Sequence, residues 1–244
     1  MEEWAYKELY ELEDDHWWFR SRRHVVRALL RREDLPPSPR ILDAGCGTGR
    51  NLVEYATLGE VEGVDMSESA VEFCHRRGFM GVRQASLEEL PFEDGRFDVI
   101  TATDVIEHLD DDVAVLEELR RVAAPDGRLV LTVPAYQWLW TQHDESLHHK
   151  RRYTAKRLRR SVTAAGWTPT TETYFYLSML PPVAVVRGIK RLRPSRRESS
   201  DLAMTTGTLN RWLDLPVKGE ARLIERGRRL PAGVSLGMVC RPAR

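Results

Sequence analysis

The segment Arg40-Ile41-Leu42-Asp43-Ala44-Gly45-Cys46-Gly47-Thr48-Gly49-Arg50-Asn51-Leu52 constrains the fold more than any other part of the chain. Ile41 and Leu42 predict a short buried strand. The three glycines that follow allow tight backbone conformations and let a ligand come close to the main chain. A helix opening near Thr48 points its unpaired N–H groups back at the same turn. Strand, glycine turn and helix start, in that order, make a nucleotide site at the carboxyl end of the first strand of a doubly wound sheet.

Glycines alone do not choose the nucleotide, because dinucleotide sites use a related pattern. Asp43 discriminates. A carboxylate at the strand end repels a pyrophosphate and suits a ligand carrying an amino group and a sulfonium, as S-adenosylmethionine (SAM) does. The next strand, Glu60-Val61-Glu62-Gly63-Val64-Asp65, ends in an acid about 20 residues on, the spacing of a ribose-hydroxyl acceptor. Met66 is then placed to lie against adenine. Asp65 has a second reading as a helix cap, since Ser67 and Glu68 also look like a helix start.

Four motifs in register carry a resemblance. Asp43-Ala44-Gly45-Cys46-Gly47-Thr48-Gly49, then Asp65, then Leu90-Pro91-Phe92-Glu93-Asp94-Gly95-Arg96-Phe97-Asp98, then Asp104-Val105-Ile106-Glu107-His108 resemble the class I SAM-dependent methyltransferases over about residues 40–135. The nearest subgroup is that of small-molecule enzymes of the quinone-biosynthesis-like, type 11 kind. The resemblance implies an α/β, Rossmann-like, doubly wound sheet of seven mostly parallel strands, the last strand antiparallel beside the sixth, with a helical cap. It implies SAM as cofactor and methyl transfer to O, N or C of a small-molecule acceptor. Gly45, Cys46 and Gly47 would admit the ligand and Asp65 would grip the ribose. Ser86 and Leu87 occupy the adenine position, where Ser86 departs from the usual acid. Asp104 ends the fourth strand, beside the transferable methyl. A helix ahead of the core would cover the methionine end, which makes Phe19 and Arg22 candidates for that end and its carboxylate.

The chain has 244 residues, enough for one large domain with an elaborated cap. We divide it into a helical lid at 1–35 and a SAM-binding core at 36–244, with cap elements at 134–153 and 177–232. Lys plus Arg equals Asp plus Glu at 37 each, so no global field argues for nucleic acid. Cys46, Cys74 and Cys240 lack metal-ligand spacing and predict free thiols in a reducing, cytoplasmic setting. The acidic start predicts no secretory leader, and no apolar run reaches the length of a membrane span.

In the lid, His16-Trp17-Trp18-Phe19-Arg20-Ser21-Arg22-Arg23 reads either as rings and guanidinium forks over the ligand or as a helix packing Trp18, Val25 and Leu29 on the core. Strands are expected at 82–85, 97–103, 128–133, 168–176 and 234–240. Helices are expected at 51–58, 69–77, 110–123 and 154–165. His108 is a candidate general base, with turn-building as the blander role. The segment from Pro134 to Tyr153, following the fifth strand, reads as the acceptor wall. Trp140, His148, Arg152 and Tyr153, with Tyr176 beyond, would line it, and His143 beside Asp144 would activate the acceptor. A metal at His143, Asp144 and His148 has no recognised spacing, and no metal is expected. Residues 177–193 are apolar with a basic flank, fitting a membrane-surface, lid or homodimer contact. Residues 194–206 read as mobile, followed by helices at 209–213 and 220–230.

Three rivals stand beside methyl transfer: an NAD-dependent oxidoreductase, which Asp43 opposes; a SAM-binding scaffold without transferase activity; and an RNA methyltransferase, which the charge balance disfavours.

Overall fold

The computed structural model describes residues 3–192 and 208–243, so the stretch 194–206 lies outside the described residues. Seven strands, β1 (Arg40–Ala44), β2 (Glu60–Asp65), β3 (Val82–Gln84), β4 (Phe97–Thr103), β5 (Ala123–Pro134), β6 (Trp167–Phe175) and β7 (Ser235–Pro242), form one sheet. Their order is β3-β2-β1-β4-β5-β7-β6. The first five pair in parallel. β7 inserts between β5 and β6, antiparallel to both. This is the seven-stranded Rossmann-like sheet expected from the sequence.

The described helices are α1 (Glu3–Leu12), α2 (Trp17–Leu30), α3 (Arg50–Tyr55), α4 (Glu68–Arg76), α5 (Asp112–Val122), α6 (Gln142–Ser146), α7 (Ala155–Ala164), α8 (Leu180–Leu192) and α9 (Thr208–Glu225). Side chains alternate faces along each strand, and both faces are covered. Ile41, Val99, Val130 and Val239 pack with Val25, Val26 and Leu29 of α2 and with Val217 and Ile224 of α9. Leu42, Ile100, Leu129 and Leu131 pack on the other face with Leu116 and Leu119 of α5 and Leu158 and Val162 of α7. That two-sided burial is why these strands read as continuous apolar runs. The helix starts are capped locally: Asp111 accepts from the N–H groups of Val113 and Ala114, and Thr154 from that of Arg157.

One expectation is corrected and two gain detail. The lid is two helices, broken before His16, whose ring caps α2 by accepting from Trp18 N–H. The helices expected at 209–213 and 220–230 are one helix, α9, with Pro216 inside it. α9 is also framework for much of its length. It packs along α2, where Ser21 donates to Asp214 at 2.8 Å and Lys218 pairs with the same carboxylate at 2.8 Å. α8 instead leans over the loop after β5, with the Arg187 guanidinium donating to the Leu139 carbonyl. Among the described residues no helix is long and apolar enough to cross a membrane.

Candidate active site

The site lies at the carboxyl edge of β1, β2 and β4. The turn after β1 is held by backbone bonds: Gly45 N–H and Cys46 N–H both donate to the Val64 carbonyl, at 2.8 and 3.0 Å. Gly45 has φ +74°, and a Cβ there would fall 2.6 Å from a Val105 methyl, so no other residue fits without displacing the β4 turn. Gly47, at φ +53°, faces α1, with Leu9 the nearest side chain, 3.8 Å from where a Cβ would sit.

Asp65 ties this turn to the end of β2. One carboxylate oxygen accepts from Gly47 N–H at 2.9 Å, the other from Ser67 N–H at 3.0 Å. Asp65 thus steadies the α4 start and the glycine turn together, while the cap of α4 itself is Ser67, which accepts from Ala70 N–H. Burial raises its pKa against those two N–H donors. Met66 beside it is 75% exposed. Across β3, Ser86 is exposed and accepts from Glu88 N–H, while Leu87 is buried.

Asp43 is fully buried. The Thr101 hydroxyl donates to one of its oxygens at 2.7 Å, and the other has no partner. Burial pushes its carboxyl up to about 7, against the Thr101 bond and the charge of Arg22. Asp43 therefore sits inside the strand end rather than at its mouth.

Asp104 follows β4 in a left-handed conformation, φ 55°, which costs a non-glycine residue and marks functional positions. Arg22 donates to it at 2.6 Å and the Thr132 hydroxyl at 3.0 Å. Two residues expected to contact the ligand separately thus form one ion pair, with Phe19 buried and its ring 5.6 Å from the Arg22 guanidinium carbon.

Beyond Asp104, a 3-10 turn (Ile106–His108) brings Glu107 and His108 toward the loop that follows β5. The His108 ring faces the His149 ring at a centroid distance of 4.7 Å. Burial, with His149 adding to it, lowers its pKa to about 4. So weak an acceptor is poorly matched to general-base work near neutrality. His143 lies half-buried on α6 next to Asp144.

Several acceptor-wall residues prove to be framework. Arg152 is 4% exposed; it donates to Asp144 at 2.7 Å and to the Ala135 carbonyl at 3.1 Å. Tyr153 is fully buried, its hydroxyl donating to Asp112 at 2.7 Å. Tyr176 is also buried; it stacks on Trp18 at 4.2 Å and donates its hydroxyl to the Trp18 carbonyl. These three are corrected from wall to support. Trp140 and His148 keep surface positions, Trp140 half-buried with its indole N–H on Glu145 and His148 exposed.

Sequence reasoning missed the hub beneath this loop. Asp144 is fully buried and takes bonds from Arg152, the His149 ring and Thr141 N–H. Burial opposes its ionisation, but those donors outweigh it and hold the carboxyl well below the usual range. It also missed Tyr6 and Glu13, which fasten α1 over the turn. Tyr6 bonds Asp65, and Glu13 accepts from Thr48 and from Arg77.

Residues 42–131, from β1 through most of β5, match the model of the methyltransferase domain family. That span has the sequence of a methyltransferase domain. Relatives from Mycobacterium tuberculosis and Mycolicibacterium smegmatis carry the name probable S-adenosylmethionine-dependent methyltransferase. A probable S-adenosylmethionine-dependent methyltransferase of Mycolicibacterium smegmatis is 30% identical over 160 residues, covering 64% of this chain and 61% of the relative. The 27-O-demethylrifamycin SV methyltransferase of Amycolatopsis mediterranei is 35% identical over 101 residues, covering 38% and 37%. The chain thus spans less than two thirds of the length of these curated relatives. A solved SAM-dependent methyltransferase from Thermotoga maritima shares the fold with a TM-score of 0.62 at 17% identity, over 97% of this chain and 94% of that one. The matched span ends within β5, so the lid, the loop after β5, α8 and α9 all lie outside it.

Proposed function

We propose that this chain transfers the methyl group of SAM to an oxygen, nitrogen or carbon atom of a small-molecule acceptor, and that the rifamycin relative favours oxygen among the three. The observation that carries the reading is the placement of Asp65 and Asp104 at the ends of β2 and β4 around one glycine turn, with Asp43 buried behind it. An amino group and a sulfonium suit that acidic rim, whereas a pyrophosphate does not.

The residues present fit the cofactor. Gly45 and Gly47 leave the backbone bare, Asp65 presents a carboxylate for the ribose, and Ser86, Leu87 and Met66 border the adenine side. Asp43 has a buried oxygen without a partner, so it acts on the amino end by its field. When bound, SAM supplies an electrophilic methyl. The chain supplies alignment, which alone is worth about 7–11 kcal/mol in a well-held pair of reactants. Arg22 is held by Asp104 and steadies the methionine end, and Phe19 closes it. Residues 1–35 act as the lid, and the loop carrying Trp140, His143 and His148, together with α8, forms the acceptor side.

Release of S-adenosylhomocysteine in the presence of pooled hydroxylated, amino and activated-methylene acceptors tests the reading. Product from at least one pool supports it. Tight SAM binding with no product from any pool would make the chain a SAM-binding scaffold.

A further inference from the structure

The methyl-transfer reading leaves one cluster unused. Glu107 is fully buried, yet neither carboxylate oxygen meets a partner of hydrogen-bond geometry. A buried carboxylate without donors is costly. The two nearest guanidinium groups do not relieve it, since Arg22 is taken by Asp104 and Arg152 by Asp144 and the Ala135 carbonyl. What Glu107 does face is a pair of imidazoles. One ligand atom from each of Glu107, His108 and His149 can be chosen so that all three lie within 4.8 Å of one another.

We propose that Glu107, His108 and His149 bind a divalent transition-metal ion at the carboxyl end of β4, and that this ion receives the acceptor's hydroxyl. The second half rests on the methyl-transfer reading; the first does not.

The surroundings of His149 are those of a metal ligand. A ligating histidine characteristically gives its other nitrogen to a carboxylate or carbonyl, which fixes the tautomer and orients the ring. His149 places Nδ1 2.9 Å from Asp144, leaving Nε2 as the ligand atom. The His108 ring meets the His149 ring edge to face at a centroid distance of 4.7 Å. Asp144 is itself locked by Arg152 and Thr141 N–H, so the outer shell is rigid. The two segments that carry the ligands are also clamped: Lys150 N–H donates to the Glu107 carbonyl at 2.7 Å, and Arg151 donates to the carbonyls of Leu109 and Asp110. Ligand atoms about 2.1 Å from an ion lie at most about 4.2 Å apart, so closure onto a metal needs side-chain movements below about 1 Å. Two imidazoles and one carboxylate select zinc, manganese, cobalt or iron over calcium or magnesium.

Three protein ligands leave coordination positions open, as in catalytic metal sites. A hydroxyl taking one of them is more acidic. Its proton passes to solvent buffer, and its oxygen lone pair forms the O–C bond. The S–C bond breaks as that happens, with its electron pair returning to sulfur to give S-adenosylhomocysteine.

The test uses the full chain, stripped with a chelator and then titrated with Co2+, Mn2+ and Zn2+. Bound metal is read by equilibrium dialysis with elemental analysis, and Co2+ also by its visible absorption. One equivalent should bind. Glu107→Gln and His149→Gln should each weaken it at least about tenfold while keeping the wild-type circular dichroism, and His148→Ala should leave it unchanged. Failure of the folded wild type to bind any of the three ions, or binding indifferent to both ligand substitutions, overturns the site. SAM binding is followed on the same samples. SAM without metal sinks this inference and leaves the methyl-transfer reading intact; metal without SAM does the reverse. Dependence of the transferase rate on added Mn2+ or Co2+ with hydroxylated but not amino acceptors would support the acceptor role, and equal dependence with both would overturn it.

Discussion

Two buried carboxylates on opposite sides of the site are held in opposite ways. Asp43, on the glycine-turn side, has one hydroxyl donor and one orphaned oxygen. Asp144, on the cap side, is surrounded by a guanidinium, an imidazole and a backbone N–H. Both are fully buried, so burial alone does not decide their charge; the donors do. The turn side is made by backbone atoms close in sequence and leaves an Asp43 oxygen without a donor. The cap side is made by side chains from distant segments and neutralises its own charges.

Removing Asp144 should break the cap side hardest. Asp144→Ala strands Arg152 in the interior, and losing one partner of a buried pair costs about 3–5 kcal/mol. Urea unfolding should show that loss, with SAM affinity falling less than stability. On the turn side, Gly45→Ala forces a left-handed alanine against Val105 and should cost about 1–3 kcal/mol. There the order reverses, with SAM affinity falling more than stability.

The pH dependence should separate the two carboxylates by sign. The folded pKa of Asp43 is raised above its unfolded value, so the folded state holds a proton that the unfolded chain has released. Its contribution to stability is complete below about 4 and is lost as pH rises toward about 7, with a slope of at most about 1.4 kcal/mol per pH unit. Asp43→Asn should remove that slope. Asp144 is shifted down, so its contribution is present above about 4 and is lost as pH falls below that value. Chemical unfolding of wild type and Asp43→Asn between pH 4 and 8 checks the first, and acid unfolding of the wild type checks the second.

The smallest effect belongs to the join between lid and sheet. Tyr176→Phe keeps the stack on Trp18 and deletes one hydrogen bond, worth about 0.5–1.5 kcal/mol. The change should appear as faster amide exchange in α2 more than as a lower melting temperature.

The same contrast explains what the sequence could show. β1, the turn and Asp65 lie within 26 residues of one another and depend on backbone geometry, so glycine spacing and an acid at a strand end reveal them. The seven strands read well because apolar runs bounded by turns are local. The cap is not local. Arg152 and Tyr153 look like a recognition surface beside their basic neighbours, and only the fold brings Asp144 and Asp112 onto them. Tyr176 is paired across 158 residues. The helices expected at 209–213 and 220–230 are one, since α9 runs through Pro216 with its apolar face anchored on α2. Glu107 and His108 were visible as neighbours in sequence, but His149 joins them only through the clamp at Lys150.

Calorimetric titration of the purified chain with SAM, S-adenosylhomocysteine and NAD tests the central claim most directly. An acidic rim around a bare glycine turn predicts saturable, mutually competitive binding of the first two and no heat from the third. Saturable binding of NAD by a chain indifferent to both adenosyl ligands would contradict it.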